Sequence, residues 1–432
     1  MQNFRPLNIN TYFKLFLIII ISILLYGCNT NIMEIIADDE LQKESTNSNK
    51  NQEDRDKFNI NELLIEKEPI LLTNLTPIKK IAILLPMTGK YSKIGKSILD
   101  GINIQLDSIS EYEKPEISIY DTGDEDVNIK NIYSEITGQN FDFVIGPLKK
   151  PLINKIISYD KGTIPILTLN YSNKLNKYSK NVYQFGLLPE DEAICIAEKS
   201  IIDGNNNASI LYPNNNWGER IAQSFSLRFE ELGGKIIDKV VYNEENKSIN
   251  NSIKNLLNIE DSIKRKNKIQ NILNVKLQFK PYIANDLNTI FAVGTSKKMR
   301  IIKPQFDFNF AENIPFYSTS HIYNGIINKE KNSDLNDIKF CDIPWLYNKK
   351  NIVDKKYFFE NNEKKDLLRF IALGMDSIKI IYNIYELELY KDKYLPGDTG
   401  YLKLDEFNKI RRNLIIVKFK NGKAIKTRFW IC

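Results

Sequence analysis

The loop Gly89-Lys90-Tyr91-Ser92-Lys93-Ile94-Gly95-Lys96-Ser97 holds the residue types of a phosphate cradle: glycines, a lysine and a hydroxyl beside it. A P-loop needs four residues between its glycines, so that successive backbone N–H groups ring the phosphates. Here there are five, and the extra residue spoils the ring of amides. Tyr120-Asp121 imitates the strand-end aspartate that helps hold magnesium, but without the cradle it has nothing to serve. The loop is therefore read as a strand–turn–helix edge. Asp121-Thr122-Gly123-Asp124-Glu125-Asp126 is acidic, yet it lacks the alternating ligands and distal glutamate of a calcium loop. It reads as a solvated turn between a strand and a helix.

Other chemistries find even less support. The single histidine, His321, has no visible partner and reads as a structural residue. No His/Cys cluster has metal spacing, and no Gly-x-Ser-x-Gly elbow occurs. Neither an enzyme activity nor a cofactor is expected. The formal charge of +6 is small beside 60 basic and 54 acidic side chains, and no dense basic block stands out. Nucleic acid is accordingly not expected as a partner.

The elements that must position these loops alternate along the chain. Lys80–Leu85 is a continuous apolar run, as in a strand buried on both faces. Ile94, Ile98, Ile102 and Leu106 then recur at helical spacing. Strands at 116–120, 141–145 and 164–169 are separated by helices at 128–137 and 150–158. A second round opens at Pro189, where proline and three acids suit the first turn of a helix. It continues with strands at 208–212, 235–241 and 289–293. Such alternation predicts an α/β protein with parallel sheets covered by helices, in two lobes with a cleft between them. Residues 413–429 read instead as a β-hairpin turning on Asn421-Gly422.

The amino-terminal region sets the compartment. A weakly basic head with Arg5 and Lys14 precedes an apolar run, 15–25, that ends in Leu25-Tyr26-Gly27-Cys28. This run has the length of a signal-peptide core and closes like a bacterial lipoprotein signal, with Cys28 taking the lipid. Residues 1–27 are then the leader. Asn29, where an aspartate would favour retention in the inner membrane, directs the product to the outer membrane, facing the periplasm and away from ATP. Residues 28–77 are polar and charged, with too little apolar area to order themselves, and form a tether. With Cys28 lipidated, Cys195, Cys341 and Cys432 remain. One bridge among them is chemically possible; a disulfide framework is not.

Recognition is left as the task. In open α/β sheets ligands bind beyond the carboxyl ends of the strands. The matching positions are Thr88 and Gly89, Gly146-Pro147-Leu148, Asn170-Tyr171, and Trp217 at a helix start. Trp217 could cap a ligand or simply anchor its lobe.

From about Lys79 to Phe429 the sequence resembles the C-terminal domain of the LpoA-type penicillin-binding protein activators, of the LppC lipoprotein family. Ile83-Leu84-Leu85-Pro86 with Gly89 and Tyr91, Ile145-Gly146-Pro147-Leu148 and Asn216-Trp217-Gly218 carry the general part of the likeness. Arg300–Gln305, Tyr317–Ser320 with Ile322-Tyr323, and above all Phe340-Cys341-Asp342-Ile343-Pro344-Trp345 carry the specific part. The resemblance implies a type I periplasmic-binding-protein-like fold, two doubly wound lobes joined by three crossovers. These are placed near 186–189, 318–323 and 396–401, so that 78–188 plus 319–396 form lobe 1 and 189–318 plus 397–432 form lobe 2. Cys341 then falls in lobe 1 as a buried thiol, and Tyr91 and Tyr323 join the cleft candidates. The implied function is non-enzymatic: an outer-membrane lipoprotein activating a bifunctional class A penicillin-binding protein, a peptidoglycan synthase. The alternative is a lipoprotein receptor for an amino acid or small amide. Long members of the family carry a helical domain between lipid and binding domain, where this chain has only the tether.

Overall fold

The computed structural model describes residues 77–123, 127–172, 181–243, 245–283, 286–325, 327–348 and 367–431. The leader, Cys28, the tether to residue 76, the acids 124–126 and Cys432 lie outside them.

The first sheet is built from β1 (Lys80–Leu85), β2 (Glu116–Asp121), β3 (Phe143–Ile145), β4 (Ile166–Thr168) and β5 (Val182–Gln184). All its pairings are parallel, in the order β2-β1-β3-β4-β5, with Ile81 opposite both Ile117 and Phe143. Alternate residues serve opposite faces, as the two-residue period of a strand requires. Ile81, Ile83 and Leu85 enter one core and Ala82 and Leu84 another. The covering helices are α1 (Ser92–Leu106), α2 (Ile129–Thr137) and α3 (Lys150–Tyr159). The Asn128 side chain accepts the Asn131 N–H at 3.2 Å and so caps α2.

After α4 (Pro189–Ile202) the chain builds a second sheet from β6 (Asn207–Pro213), β7 (Lys235–Tyr242), β8 (Thr289–Ala292), β9 (Phe316–Thr319) and β10 (Lys339–Asp342). Its helices are α5 (Asn216–Glu231), α6 (Asn246–Leu256), α7 (Ile259–Leu273) and α8 (Ser296–Phe306). Two helices, α9 (Leu368–Tyr382) and α10 (Ile384–Leu389), then precede the short strands β11 (Leu395–Pro396), β12 (Tyr401–Leu404) and β13 (Ile410–Asn413). The chain ends in β14 (Ile415–Lys420) and β15 (Lys423–Ile431). The second sheet runs β15-β14-β10-β9-β8-β6-β7, parallel from β7 to β10 and antiparallel through the terminal pair. The expected hairpin is present, with Asn421 at φ 51° and Gly422 at φ 68°, the positive values a tight turn demands.

Two boundaries differ from the sequence expectation. Lys339–Asp342 belongs to the second sheet, with Phe340 opposite Ser318 on one side and Val417 on the other. Residues 320–338 return the chain to its own sheet, which periodicity alone does not distinguish from a crossing. Conversely, Leu402, Leu404 and Ile410 pack into a core of the first sheet, so the chain rejoins the second sheet only at Leu414. The sulfur chemistry differs as well. Cys341 is buried but is not a thiol: it is bonded to Cys195 of α4, 146 residues away.

Helix α9 joins the cores. Leu368, Ile371 and Ala372 pack beneath the second sheet, Leu373, Ile378 and Ile381 beneath the first. It crosses α1 at glycines on both helices. A Cβ on Gly374 would stand 2.0 Å from the Ile98 carbonyl oxygen, and one on Gly101 1.9 Å from that of Ile371. Only hydrogen fits at either place.

Candidate functional site

The loop after β1 is organised by Asp121. Its carboxylate accepts the Met87 N–H at 2.8 Å, the Thr88 hydroxyl at 2.7 Å and the Gly123 N–H at 2.8 Å. Burial works against its charge, but these bonds together hold its pKa below the usual range. Gly95 faces the Pro86 carbonyl, where a Cβ would stand 2.1 Å away, and the Ser97 hydroxyl donates to the Lys93 carbonyl at 2.9 Å. The P-loop-like residues are spent on packing a turn against a helix. Thr88, Gly89 and Tyr91 lie exposed on that turn.

Next to it, Lys149 Nζ donates to the Gly123 carbonyl at 3.3 Å. Gly146 precedes Pro147 through a cis peptide and adopts φ 101°; a Cβ there would meet the Leu84 oxygen at 2.2 Å, so glycine is required. The Pro147 carbonyl accepts the Leu169 N–H at 3.1 Å, and Asn170 Nδ2 donates to the half-buried Leu148 carbonyl at 3.3 Å. The structure thus brings Gly146, Pro147, Leu148 and Asn170 into one loop pair. Tyr171 is buried, its hydroxyl donating to the Ile410 carbonyl at 2.6 Å. That hydroxyl binds the chain itself.

On the second sheet, Asn215 caps α5 by accepting the Gly218 N–H at 2.9 Å, which sets Trp217 beside His321 with ring centroids 5.1 Å apart. Tyr323 is not with them. It is buried among Phe340, Tyr347 and Phe419, as part of a core.

The densest polar constellation was not among the sequence candidates. Glu192, in the first turn of α4, accepts the Ser320 N–H at 2.7 Å and the Ser320 hydroxyl at 2.8 Å. Arg369, at the start of α9, grips Asp342 at the end of β10 in a bidentate pair of 2.8 and 2.7 Å. Its remaining reach goes to the Tyr323 carbonyl at 3.0 Å. The Asp342 carboxylate also accepts from the Tyr347 hydroxyl and the Ile343 N–H, each at 2.8 Å. Beside these, Asp191 pairs with Arg412 of β13 at 3.2 Å, both buried. Asp376 of α9 accepts the Asp398 and Thr399 N–H groups at 2.7 Å each. The Glu192–Ser320, Arg369–Asp342, Asp191–Arg412 and Asp376 bonds join segments distant along the chain, whereas the Ile343 and Tyr347 bonds to Asp342 are local. The sequence signal for Glu192 was visible in Pro189-Glu190-Asp191-Glu192, but the acids read as a favourable match to the helix dipole. Two of the three instead turn inward.

Burial pushes the Glu192 carboxyl up to about 7; Arg369 opposes the rise and Asp342 adds to it. Burial, with Arg369 behind it, pushes His321 down to about 4 although a third of its side chain meets solvent. The imidazole is neutral at pH 7 and shares its Nδ1 with Thr319 Oγ1 at 3.2 Å. Among the described residues no group of His, Cys, Asp or Glu is arranged to hold a metal ion.

Glu192 gives a pH test. Folded, it keeps its proton to about pH 7; unfolded, it releases it near 4.5. Raising the pH across that window removes a proton from the unfolded chain alone and so favours unfolding. His321 pulls the other way between about 4 and 6.5, because only the unfolded imidazole binds a proton there. The comparison with Glu192→Gln isolates the glutamate, since the amide can accept from the Ser320 N–H and donate to its hydroxyl. Urea melts should show the native chain losing roughly 3 kcal/mol against the variant between pH 4.5 and 7.5. A constant difference across that range refutes the raised pKa.

Residues 61–422 match the family described as "LppC putative lipoprotein". The chain belongs to the LppC family. Among curated LppC relatives, the penicillin-binding protein activator LpoA of Photobacterium profundum is 26% identical over 353 residues, 81% of this chain and 57% of its own length. The chain spans less than two thirds of the curated relatives it matches. Among solved structures, the LpoA (YraM) C-domain from Haemophilus influenzae, a regulator of PBP1A, is covered over its full length. It superposes with a TM-score of 0.64 at 20% identity over 81% of this LppC chain. An ABC transporter substrate-binding protein from Sphaerobacter thermophilus superposes at 0.57 with 15% identity, covering 81% of this chain and 96% of its own. The fold is therefore the periplasmic-binding-protein-like α/β architecture expected.

Proposed function

We propose that this LppC protein is a non-enzymatic activator of a class A penicillin-binding protein, anchored in the outer membrane by a lipid on Cys28 and facing the periplasm. What carries the reading is the match along the complete C-domain of LpoA, whose curated relatives are named as activators. The interior chemistry agrees with a scaffold. Thr88, Tyr171, Glu192 and Arg369 spend their polar groups on the protein's own loops and crossings. A regulator that works by contact needs its surfaces held in place, and these bonds do that. Among the described residues no helix is long and apolar enough to cross a membrane; the proposed anchor is the lipid on Cys28 alone. Residues 28–77 would be the tether and the cleft-side loops around Thr88, Gly146 and Trp217 the candidate contact or ligand region.

The full chain, mixed with a purified class A synthase, should be retained by it and raise glycan polymerisation several-fold. Absence of both, together with saturable thermal stabilisation by one amino acid, overturns the proposal in favour of a solute receptor.

A further inference from the structure

The helix α7 and the segment that follows it are rooted in a core of the second sheet at Ile259 and Ile283 and otherwise lie at the surface. Only Ile259 and Ser262 of α7 are buried, and Ser262 Oγ receives the Tyr282 N–H at 2.8 Å, which fastens the base. Between Ile263 and Lys276 only Lys266 and Gln270 are even half-buried. The exposed residues are of two kinds. Ile269, Ile272 and Leu273 lie at helical spacing on one flank, with Ile272 72% and Leu273 56% exposed, and Val275 and Phe279 continue the apolar surface. Six basic residues and no acid occupy 263–285. Across from the returning segment, Lys280 Nζ sits 4.9 Å from the Phe310 ring, in a bulge whose Phe308 is 82% exposed.

We infer that this arm is a docking surface for an anionic phospholipid bilayer. Arg265 and Lys266 lie on the same flank as the exposed apolar residues, and Lys264, which pairs with Asp261 at 3.2 Å, and Lys268 lie opposite. A helix that mixes exposed apolar side chains with cations lies in the interface of such a bilayer, the apolar groups in the acyl boundary and the cations among the headgroups. Five of the six basic residues are lysines, whose long stems lie along apolar surface while the ammonium reaches outward. A protein-recognition patch would be expected to favour arginine and fixed hydrogen-bonding groups instead. Position adds to this. The described body begins at Pro77, and Cys28 stands 49 residues upstream. A body joined to a lipid at Cys28 meets the bilayer at high effective concentration. This last argument rests on the proposed lipid anchor; the charge and apolar pattern does not.

The test uses the full chain carrying Ile272→Trp, with the added emission read as the difference from the parent chain. It is mixed with vesicles of brominated phosphatidylcholine, with or without 30% phosphatidylglycerol. The proposed lipid on Cys28 would hold the chain on both kinds of vesicle, so headgroup charge is the variable. In anionic vesicles the added tryptophan should shift to the blue and lose at least half its intensity. In neutral vesicles, or with Lys264→Glu, Arg265→Glu and Lys268→Glu added, the quenching should fall several-fold. Unquenched emission in anionic vesicles, equal quenching in both, or shielding that appears only when a synthase is added would each overturn the inference. No synthase activity enters the readout, so failure here is separate from failure of the activator reading.

Discussion

Arg369→Met should destabilise the protein by about 3–5 kcal/mol, the scale for stripping a buried charge of its partner. The Asp342 side chain has no exposure to solvent, and its ion pair with Arg369 is bidentate. Methionine matches the volume of the arginine stem but supplies no donor. The carboxylate would keep the Tyr347 hydroxyl and the Ile343 amide, which cannot balance a buried charge. The carbonyl of Tyr323 would lose its donor at the same time. Adding Asp342→Asn removes the stranded charge, and the double variant should regain at least half of the loss. Denaturant melts of the two variants decide the matter. A single variant within 1 kcal/mol of the native chain, or a double variant no better than the single, would sink the account.

The second large effect is expected from the bond between Cys195 and Cys341. Both residues are buried, one on α4 and one on β10, and the bond closes a loop of 146 residues. Restricting so long a loop lowers the entropy of the unfolded chain by an amount equivalent to about 5 kcal/mol in the chain-entropy description. Natural disulfides removed from folded proteins cost roughly 2–5 kcal/mol. Cys195→Ala with Cys341→Ala should therefore lower the urea midpoint by an amount in that range. The native chain, unfolded and refolded with its thiols reduced, should approach the same midpoint. Because the bond is out of reach of solvent, reductant added to the folded protein should have little effect until the chain opens. Identical midpoints with and without the bond would show that it contributes nothing.

Much of the architecture was legible because it rests on local patterns. Apolar runs such as Lys80–Leu85, helix starts near Asn128, Pro189 and Trp217, and the Asn421-Gly422 turn each encode one element by steric and hydrogen-bonding rules. Which sheet a strand joins is a different question. Phe340 and Leu402 are apolar residues in short strands, and nothing local says that one completes the second sheet and the other the first core. The same holds for the site. Asn170 and Trp217 are conspicuous in a loop and at a helix start. Glu192 and Arg369 are ordinary charged residues until the fold brings Ser320 and Asp342 to them from 128 and 27 positions away. The pairing of Cys195 with Cys341 was out of reach for the same reason.

The order in which the strands are threaded has a consequence for how the molecule comes into being. The first core is not complete without Leu395–Ile410, and β10 has an open edge until Ile415–Lys420 arrives. A chain produced from its amino end therefore cannot finish either half while most of it is already out. Contacts so distant in sequence make closure slow. Ile415–Ile431 then act as a latch, and a chain cut short before them would be left with a bare strand edge inviting unwanted pairing.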